Sequence, residues 1–416
     1  MTAALKFLGK LLLWLVVAFG LALTIVPHFL DRIYYRGPVS GHYDGERFFN
    51  PDGEDTTAPP AGGSRAGFFW RYLTGSDDRP PWPDTVPVRP ARPAELLRTA
   101  PAPSVPRPAS PEAIAATPMR ATWIGHATVL VQTPGLNILT DPIWSDDTGP
   151  FGFGPTRVAA PGIAFDDLPK IDLVLLSHNH YDHLDLPTLK RLWQRDRPLI
   201  VTSLGNDAIL RSNGIAAQAA DWGRAVTVRG RPDMGAAYWP GVVRVHVTRN
   251  HHWGSRWFRD RNRALWSSFV VTLPGGNLFF AGDTGMGDGR WPAEAAQLGP
   301  IRLALIPIGA FRFVPGQMQS GSHIGPIYAA EVHERLGAAT SLPIHWGTFR
   351  LSYEQYRTPP NLLRATLACT GQTGFEPAQI GRPRDIPPYR PPTPGRALAP
   401  DALERCLDTP AVRALQ

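Results

Sequence analysis

The sequence predicts an α/β protein preceded by an N-terminal transmembrane helix. Three observations lead there. Apolar runs of strand length recur from about residue 119 onward, separated by turn and helix-start signals. Four candidate metal ligands, His178, His252, Asp283 and His345, each fall just beyond the C-terminal end of such a run. Strand ends at one edge of a sheet or sandwich bring distant residues together. Ahead of everything, Leu11–Val26 carries no charge, and continued to Leu30 the stretch reaches 20 residues. That is roughly 30 Å of helix, enough to cross a bilayer.

Taken in order, the first element is that helix. Lys6 and Lys10 precede it, Asp31 and Arg32 follow it, and Pro27 and His28 interrupt its far end. No clean A-x-A site closes the run, so an uncleaved anchor is expected over a signal peptide. A buried core helix is disfavoured by the terminal position and by the polar, Pro-rich sequence that follows. The two leading lysines place the N-terminus inside and the rest of the chain on the periplasmic or extracytoplasmic side, although Arg32 and Arg36 weigh against that orientation. Four units result: 1–31 as anchor, 32–118 as a Pro-rich extended arm, 119–381 as the main domain, and 382–416 as a Pro-rich extension. Within the arm, Trp70, Tyr72 and Trp82 are candidates to pin it to the main domain.

Regular structure begins near Met119. Ala121–Ile124, Thr128–Gln132 and Asn137–Thr140 read as strands, the last ending at Asp141-Pro142. Ile171–Leu176 is an apolar strand, and Asp185 with Pro187 signals a helix through Leu189–Gln194. Pro198–Thr202 is strand-like, and Asn206–Asn213 is a short helix closed by Gly214. Val242–Thr248 alternates with Val243, Val245 and Val247 on one face, as a half-buried strand does. Ser267–Leu273 and Leu278–Ala281 flank a Pro274-Gly-Gly-Asn277 hairpin signal. Arg302–Ile308 and Ser341–Ile344 complete the strands, Ala329–Leu336 is a helix, and a last short helix covers Asp401–Leu407.

Composition narrows the function. The 416 residues are 43% hydrophobic and 19% charged, which suits one large domain or two ordinary ones. A net charge of +7 without a Lys/Arg block is mild for this length and argues against nucleic acid as a partner. Cys369 and Cys406 cannot make a four-cysteine zinc site; they form one disulfide or remain two unrelated thiols.

The chemistry is concentrated in Leu176-Ser-His-Asn-His-Tyr-Asp-His-Leu-Asp185. His178, His180, Asp182 and His183 stand in the pattern H-x-H-x-D-H. Imidazole nitrogen and carboxylate oxygen are the ligands of hydrolytic zinc. In extended backbone His178 and His180 grip one metal, while Asp182 and His183 face a second. The bland alternative is a polar surface loop.

These residues, followed by His252-Trp253, by Phe280-Ala-Gly-Asp-Thr-Gly285 and by Ile344-His-Trp-Gly-Thr348, resemble the metallo-β-lactamase superfamily. Together with Thr122-Trp-Ile-Gly-His-Ala-Thr128 and Leu139-Thr-Asp-Pro-Ile143 they look like its branch of N-acylphosphatidylethanolamine-hydrolysing phospholipases D, over about residues 119–365. The resemblance implies an αββα sandwich with a two-zinc site at one edge. His178, His180 and His252 would hold one zinc ion, Asp182, His183 and His345 the other, and Asp283 would bridge. His251 competes with His252, which is preferred because it directly precedes Trp. Catalytic roles are expected for Asp182, Asp283 and His323, the last as a substrate or proton-transfer residue.

The expected reaction is phospholipase D-type hydrolysis of N-acylphosphatidylethanolamine-like lipids to phosphatidic acid and N-acylethanolamine, through a hydroxide shared by the two ions. Phospholipid and membrane are the expected partners, and a homodimer is admitted. The alternative is a zinc hydrolase of a small soluble ester, lactone or phosphodiester; a metal-stabilised envelope scaffold is less favoured.

Several residues are left open. Asp141 is a second acceptor behind a ligand imidazole or a turn residue, and His126 lies near the site or in a structural turn. Trp253–Trp266, with Arg256, Arg259, Arg261 and Arg263 beside Trp257 and Phe258, suits phosphate headgroups or is a solvated loop. Phe311–Met318 meets acyl chains or packs in the core. His28, His42, His246 and His333 receive no role.

Overall fold

The computed structural model describes residues 2–29, 32–53, 79–97, 111–152, 154–229, 242–257, 259–313, 317, 320–396 and 398–415. Trp70, Tyr72, Phe258 and Met318 lie outside the described residues.

The chain opens with helix α1 (Thr2–Phe29) and, after the arm, the short α2 (Pro111–Ala115). Strands β1 (Arg120–Gly125), β2 (Thr128–Thr133), β3 (Leu136–Thr140) and β4 (Leu173–Leu176) follow. Then come α3 (Leu186–Asp196), β5 (Leu199–Ser203), α4 (Asn206–Arg211), β6 (Gln218–Ala220), β7 (Ala225–Arg229) and β8 (Val242–Thr248). The second half holds β9 (Ser268–Val271), β10 (Asn277–Phe280), α5 (Trp291–Ala296), β11 (Ile301–Pro307), α6 (Pro326–Arg335) and β12 (Thr340–Ile344). It closes with α7 (Thr358–Thr370), β13 (Arg384–Asp385), α8 (Pro400–Leu407) and α9 (Pro410–Arg413).

Two sheets result. One has the order β13-β1-β2-β3-β4-β5-β6 and the other β12-β11-β10-β9-β8-β7. Strand side chains alternate between faces, and here both faces are covered. In β4, Leu173 and Leu175 enter the core between the sheets, while Val174 and Leu176 pack outward against Leu189 and Leu192 of α3. Across the gap, Val243, Val245, Phe269 and Leu305 meet that same inner core. Outside the second sheet, Trp291 of α5, Ala329 and Val332 of α6, and Leu363 of α7 are buried. The arrangement is the αββα sandwich that the resemblance implies. A strand covered on both faces must be apolar throughout, which is why Ile171–Leu176 reads as a run and not as an alternation.

The topology gathers one edge. β3 and β4 are parallel, so Asp141 and His178 leave the sheet side by side. β8 and β10 are both antiparallel to β9 and therefore run the same way, so His252 and Asp283 emerge together. The parallel pairs β10–β11 and β11–β12 add His345 to that edge.

The flanking segments are built into this body. Tyr43 and Phe48 of the arm are buried against Leu265 and Trp266. Trp82 Nε1 donates to Glu354 O at 2.9 Å. In the Pro-rich extension, β13 extends the first sheet by pairing with β1. The buried Arg302 guanidinium reaches Ile386 O and Pro387 O. Cys369 and Cys406 are disulfide-bonded, with Cα atoms 6.0 Å apart, joining α7 to α8. α1 is not a core helix. Leu12, Trp14 and Phe19 are 65%, 69% and 66% exposed, and the helix is long and apolar enough to cross a membrane.

Candidate metal centre

Several site residues are aimed by a neighbour behind them. Asp141, fully buried just past β3, accepts from Ser177 N at 2.7 Å. Its other oxygen accepts from Ser177 Oγ and from His183 Nδ1, the latter at 2.6 Å. Ser177 Oγ spends its proton on Asp141, so it accepts from His178 Nδ1 at 2.8 Å. His252 Nδ1 donates to Ser322 O at 2.9 Å. These bonds fix the tautomers. Nε2 of His178 and His252 is left as a bare lone pair facing inward; burial lowers His183 too, but Asp283 and Asp182 outweigh it and hold that ring well above the ordinary imidazole range.

The bare nitrogens converge. His178 Nε2 lies 2.8 Å and His252 Nε2 3.4 Å from His180 Nδ1. One Nδ1 proton cannot satisfy two acceptors. With Asp283, these three imidazoles present ligand atoms that all lie within 4.8 Å of one another. A second set overlaps it. Asp283 Oδ2 is 3.0 Å from both His183 Nε2 and His345 Nε2, and Asp182 Oδ2 is 3.3 and 3.5 Å from the same atoms. His126 Nε2 stands 2.8 Å from Asp182 Oδ2. This largely buried set of imidazoles and carboxylates, with His180 and Asp182 half-buried, fits cation binding, because lone pairs and negative charge crowd together there.

The electrostatics agree. Burial above all pushes His178 and His252 far below the ordinary imidazole range and His180 down to about 3. Burial also lowers His345, but Asp283 and Asp182 outweigh it and hold that ring up at about 9. The half of the site with two carboxylates calls for positive charge; the other half offers neutral imidazoles.

Backbone strain is concentrated here too. His126 (φ 53°), Asp141 (φ 28°) and His345 (φ 63°) all occupy the left-handed region, which costs of order 1–3 kcal/mol each outside glycine. Gly285 is required by close approach: a Cβ there would stand 1.6 Å from Gly321 O. That contact, with Ile324 N donating to Thr284 O at 2.7 Å, seats the loop bearing His323. His323 Nδ1 is buried, unpartnered, and 3.8 Å from Asp283 Oδ2.

All of His178, His180, Asp182, His183, His252, Asp283, His323 and His345 are thus brought together. His251 is turned away, its Nδ1 3.1 Å from Asp52 Oδ1. Asp141 proves to be the acceptor behind His183 while also occupying a turn. His126 is both beside the site and in a strained turn. Sequence reasoning missed Asn50, whose Nδ2 donates to His252 O at 2.9 Å, and Asp52. They lie in a segment without periodicity, which carries no local signal.

The basic-aromatic segment is mostly architectural. Arg256 donates to Leu184 O at 2.7 Å and lies over the Tyr181 ring, and Arg263 donates to Glu46 O. Arg261 covers Trp253, whose ring centroid is 4.2 Å from that of His180. Phe311 is core, whereas Phe313 is 38% exposed with its ring 5.6 Å from His323.

The beta-lactamase superfamily domain family matches residues 136–346. N-acyl-phosphatidylethanolamine-hydrolyzing phospholipase D 1 of Caenorhabditis elegans is 35% identical over 58% of this chain and 67% of its own. The mitochondrial enzyme of that name from Saccharomyces cerevisiae is 33% identical over 59% of this chain and 51% of its own. Among solved structures, Igni18, a metallo hydrolase of Ignicoccus hospitalis, gives a TM-score of 0.48 at 19% identity, covering 65% of this chain and 99% of that one.

Proposed function

From the premise that this chain belongs to the metallo-β-lactamase superfamily, as a hydrolase similar to the N-acyl-phosphatidylethanolamine-hydrolysing phospholipases D, we propose that it is a dinuclear zinc phosphodiesterase. It would act on N-acylphosphatidylethanolamine-like lipids at a membrane, releasing phosphatidic acid and N-acylethanolamine. The observation that carries this reading is the single carboxylate, Asp283, standing 3.0 Å from His183 and His345 and 4.0 Å from His252, between two donor sets.

His178, His180 and His252 would hold one ion, and Asp182, His183 and His345 the other, with Asp283 common to both. The ions would supply Lewis acidity and lower the pKa of a water, the two services a phosphodiester needs. The chain's own residues prepare the rest. Asp141 orients His183, and His126 Nε2 holds Asp182 Oδ2 in place. His323, pushed by burial down to about 3, is a neutral imidazole beside Asp283. It can donate one hydrogen bond to a phosphoryl or leaving-group oxygen. Trp253 and Phe313 give the rim an apolar character suited to acyl chains.

The test is hydrolysis of N-acylphosphatidylethanolamine in mixed micelles by metal-analysed protein, with products identified by mass spectrometry. Phosphatidic acid plus N-acylethanolamine should appear, and should be lost by a factor of roughly 100 or more in His180→Ala and Asp283→Asn. Two metals per chain without turnover would replace this reading by a hydrolase of small soluble esters or phosphodiesters.

A further inference from the structure

A cavity of about 670 Å³ opens between the arm at residues 86–89, the start of α7 and the loop at residues 377–382. Its size is that of an ordinary small-molecule site, roughly 300–1,000 Å³. None of the proposed metal ligands lines it, although Trp346, which follows His345 directly, does. The proposed chemistry makes no use of it.

Its charge is unusual for this molecule. Arg89, Arg357, Arg364 and Arg382 line it, and no carboxylate does. Arg89 pairs with Glu95 at 2.7 Å, outside the lining. Arg364 Nη1 donates to Asn361 Oδ1, and Arg357 lies 5.5 Å from the Tyr356 ring centroid. Among the described residues, Arg357, Arg364 and Arg382 have no carboxylate partner. Elsewhere Arg249, by contrast, engages two carboxylates, Asp288 and Glu294. These four exposed arginines border one concave surface, and like charges so placed repel one another and set up a field that attracts an anion.

Apart from Gln379, the rest of the wall is largely apolar and aromatic. Trp123 and Trp346 are buried, with ring centroids 5.1 Å apart. Their indole N–H groups are already committed, Trp123 to His126 O and Trp346 to Pro343 O. They therefore offer no hydrogen bonds and back an apolar lining to which Val86, Val88, Pro377 and Ile380 also contribute. Guanidinium forks match phosphate oxygens bidentately, and apolar surface takes up hydrocarbon.

We propose that this cavity is a second ligand site, distinct from the metal centre, for a phosphate monoester carrying an apolar body. The arginines would hold the dianionic head, and the apolar wall the body. The inference does not depend on the identity of the lipid cleaved at the metal centre.

Calorimetric titration of the full chain in an uncharged detergent, metal-loaded, with dihexanoyl phosphatidic acid tests it. Dihexanoyl phosphatidylcholine and inorganic phosphate serve as the comparison probes. The phosphatidic acid should bind at least about tenfold more tightly than either probe, because only it combines a dianion with hydrocarbon. Arg357→Gln/Arg364→Gln/Arg382→Gln should weaken it at least about tenfold with metal content unchanged. If the triple variant does not fold, Arg382→Gln alone, on an exposed loop, should weaken it about threefold. Undiminished binding in these variants, or binding abolished by chelating the metals, would place the ligand at the metal centre and overturn the proposal. Equal affinity for phosphatidylcholine would remove the arginines from recognition. Equal affinity for inorganic phosphate would remove the apolar body.

Discussion

At the scale of single residues, Asp141 organises the site without being one of its proposed ligands. It accepts from Ser177 and His183, and through Ser177 it fixes His178. Asp141→Asn places an amide N–H where an acceptor is needed, so His183 loses its tautomer while the fold keeps its shape. The expected loss is about 10–100-fold in metal affinity, measured by competition against a chelator. Wild-type affinity would mean that Asp141 serves only its turn. The H-x-H-x-D-H phrase was legible because its four side chains are neighbours in sequence as well as in space. Asn50 behind His252, and His126 behind Asp182, were not assignable, because each reaches its partner across a chain reversal that no local pattern encodes.

At the scale of elements, strands with sustained apolar runs, β4, β8 and β11, were readable. β6, β7 and β13 were not, since two to five residues carry too little periodicity and pairing alone defines them. The order within the Pro-rich extension was unreadable for a similar reason: it comes from β1, from Arg302 and from the disulfide. That disulfide spans 37 residues, a loop whose closure is worth about 2–4 kcal/mol. Cys369→Ser/Cys406→Ser should lower unfolding stability by that amount, read from urea denaturation, and should free α8 and α9 from α7. A second element contact gives a pH prediction. Arg249, just past β8, binds Asp288 and Glu294 at α5. Burial raises the Asp288 carboxyl, but the Arg290 backbone N–H and the Arg249 and Arg290 guanidinium groups outweigh it and hold it at about 2. The folded value lies below the unfolded one, so the stability Asp288 contributes is full above about pH 4 and is lost as pH falls toward 2. The stability gap between wild type and Asp288→Asn should be constant at neutral pH and close over that window. A gap that does not narrow would assign the contact to packing instead of charge.

At the scale of the whole molecule, only a short stretch of sequence separates the apolar helix from residues packed on the segment that continues from His252. Arg32 lies 5.0 Å from the Trp257 ring centroid, and Tyr34 Oη donates to Asp260 at 2.7 Å. Asp260 in turn accepts from the backbone of Arg256 and Trp257, in the segment that continues from His252. The three peptide links from Phe29 to Arg32 span at most about 11 Å. A bilayer around α1 would therefore face the rim of the site and not a distant surface. Tethering then acts as effective concentration, and it acts only on substrate held in the same membrane. Removing residues 1–30 keeps Arg32 and Tyr34 and should leave the metal centre intact. The truncated protein should appear in the soluble fraction after vesicle flotation. Its turnover of vesicle-borne lipid should fall about tenfold or more, while turnover of a monomeric short-chain analogue stays within about threefold. Equal losses on both substrates would mean that the truncation damaged the site. Retention on vesicles would transfer membrane binding from α1 to the folded body.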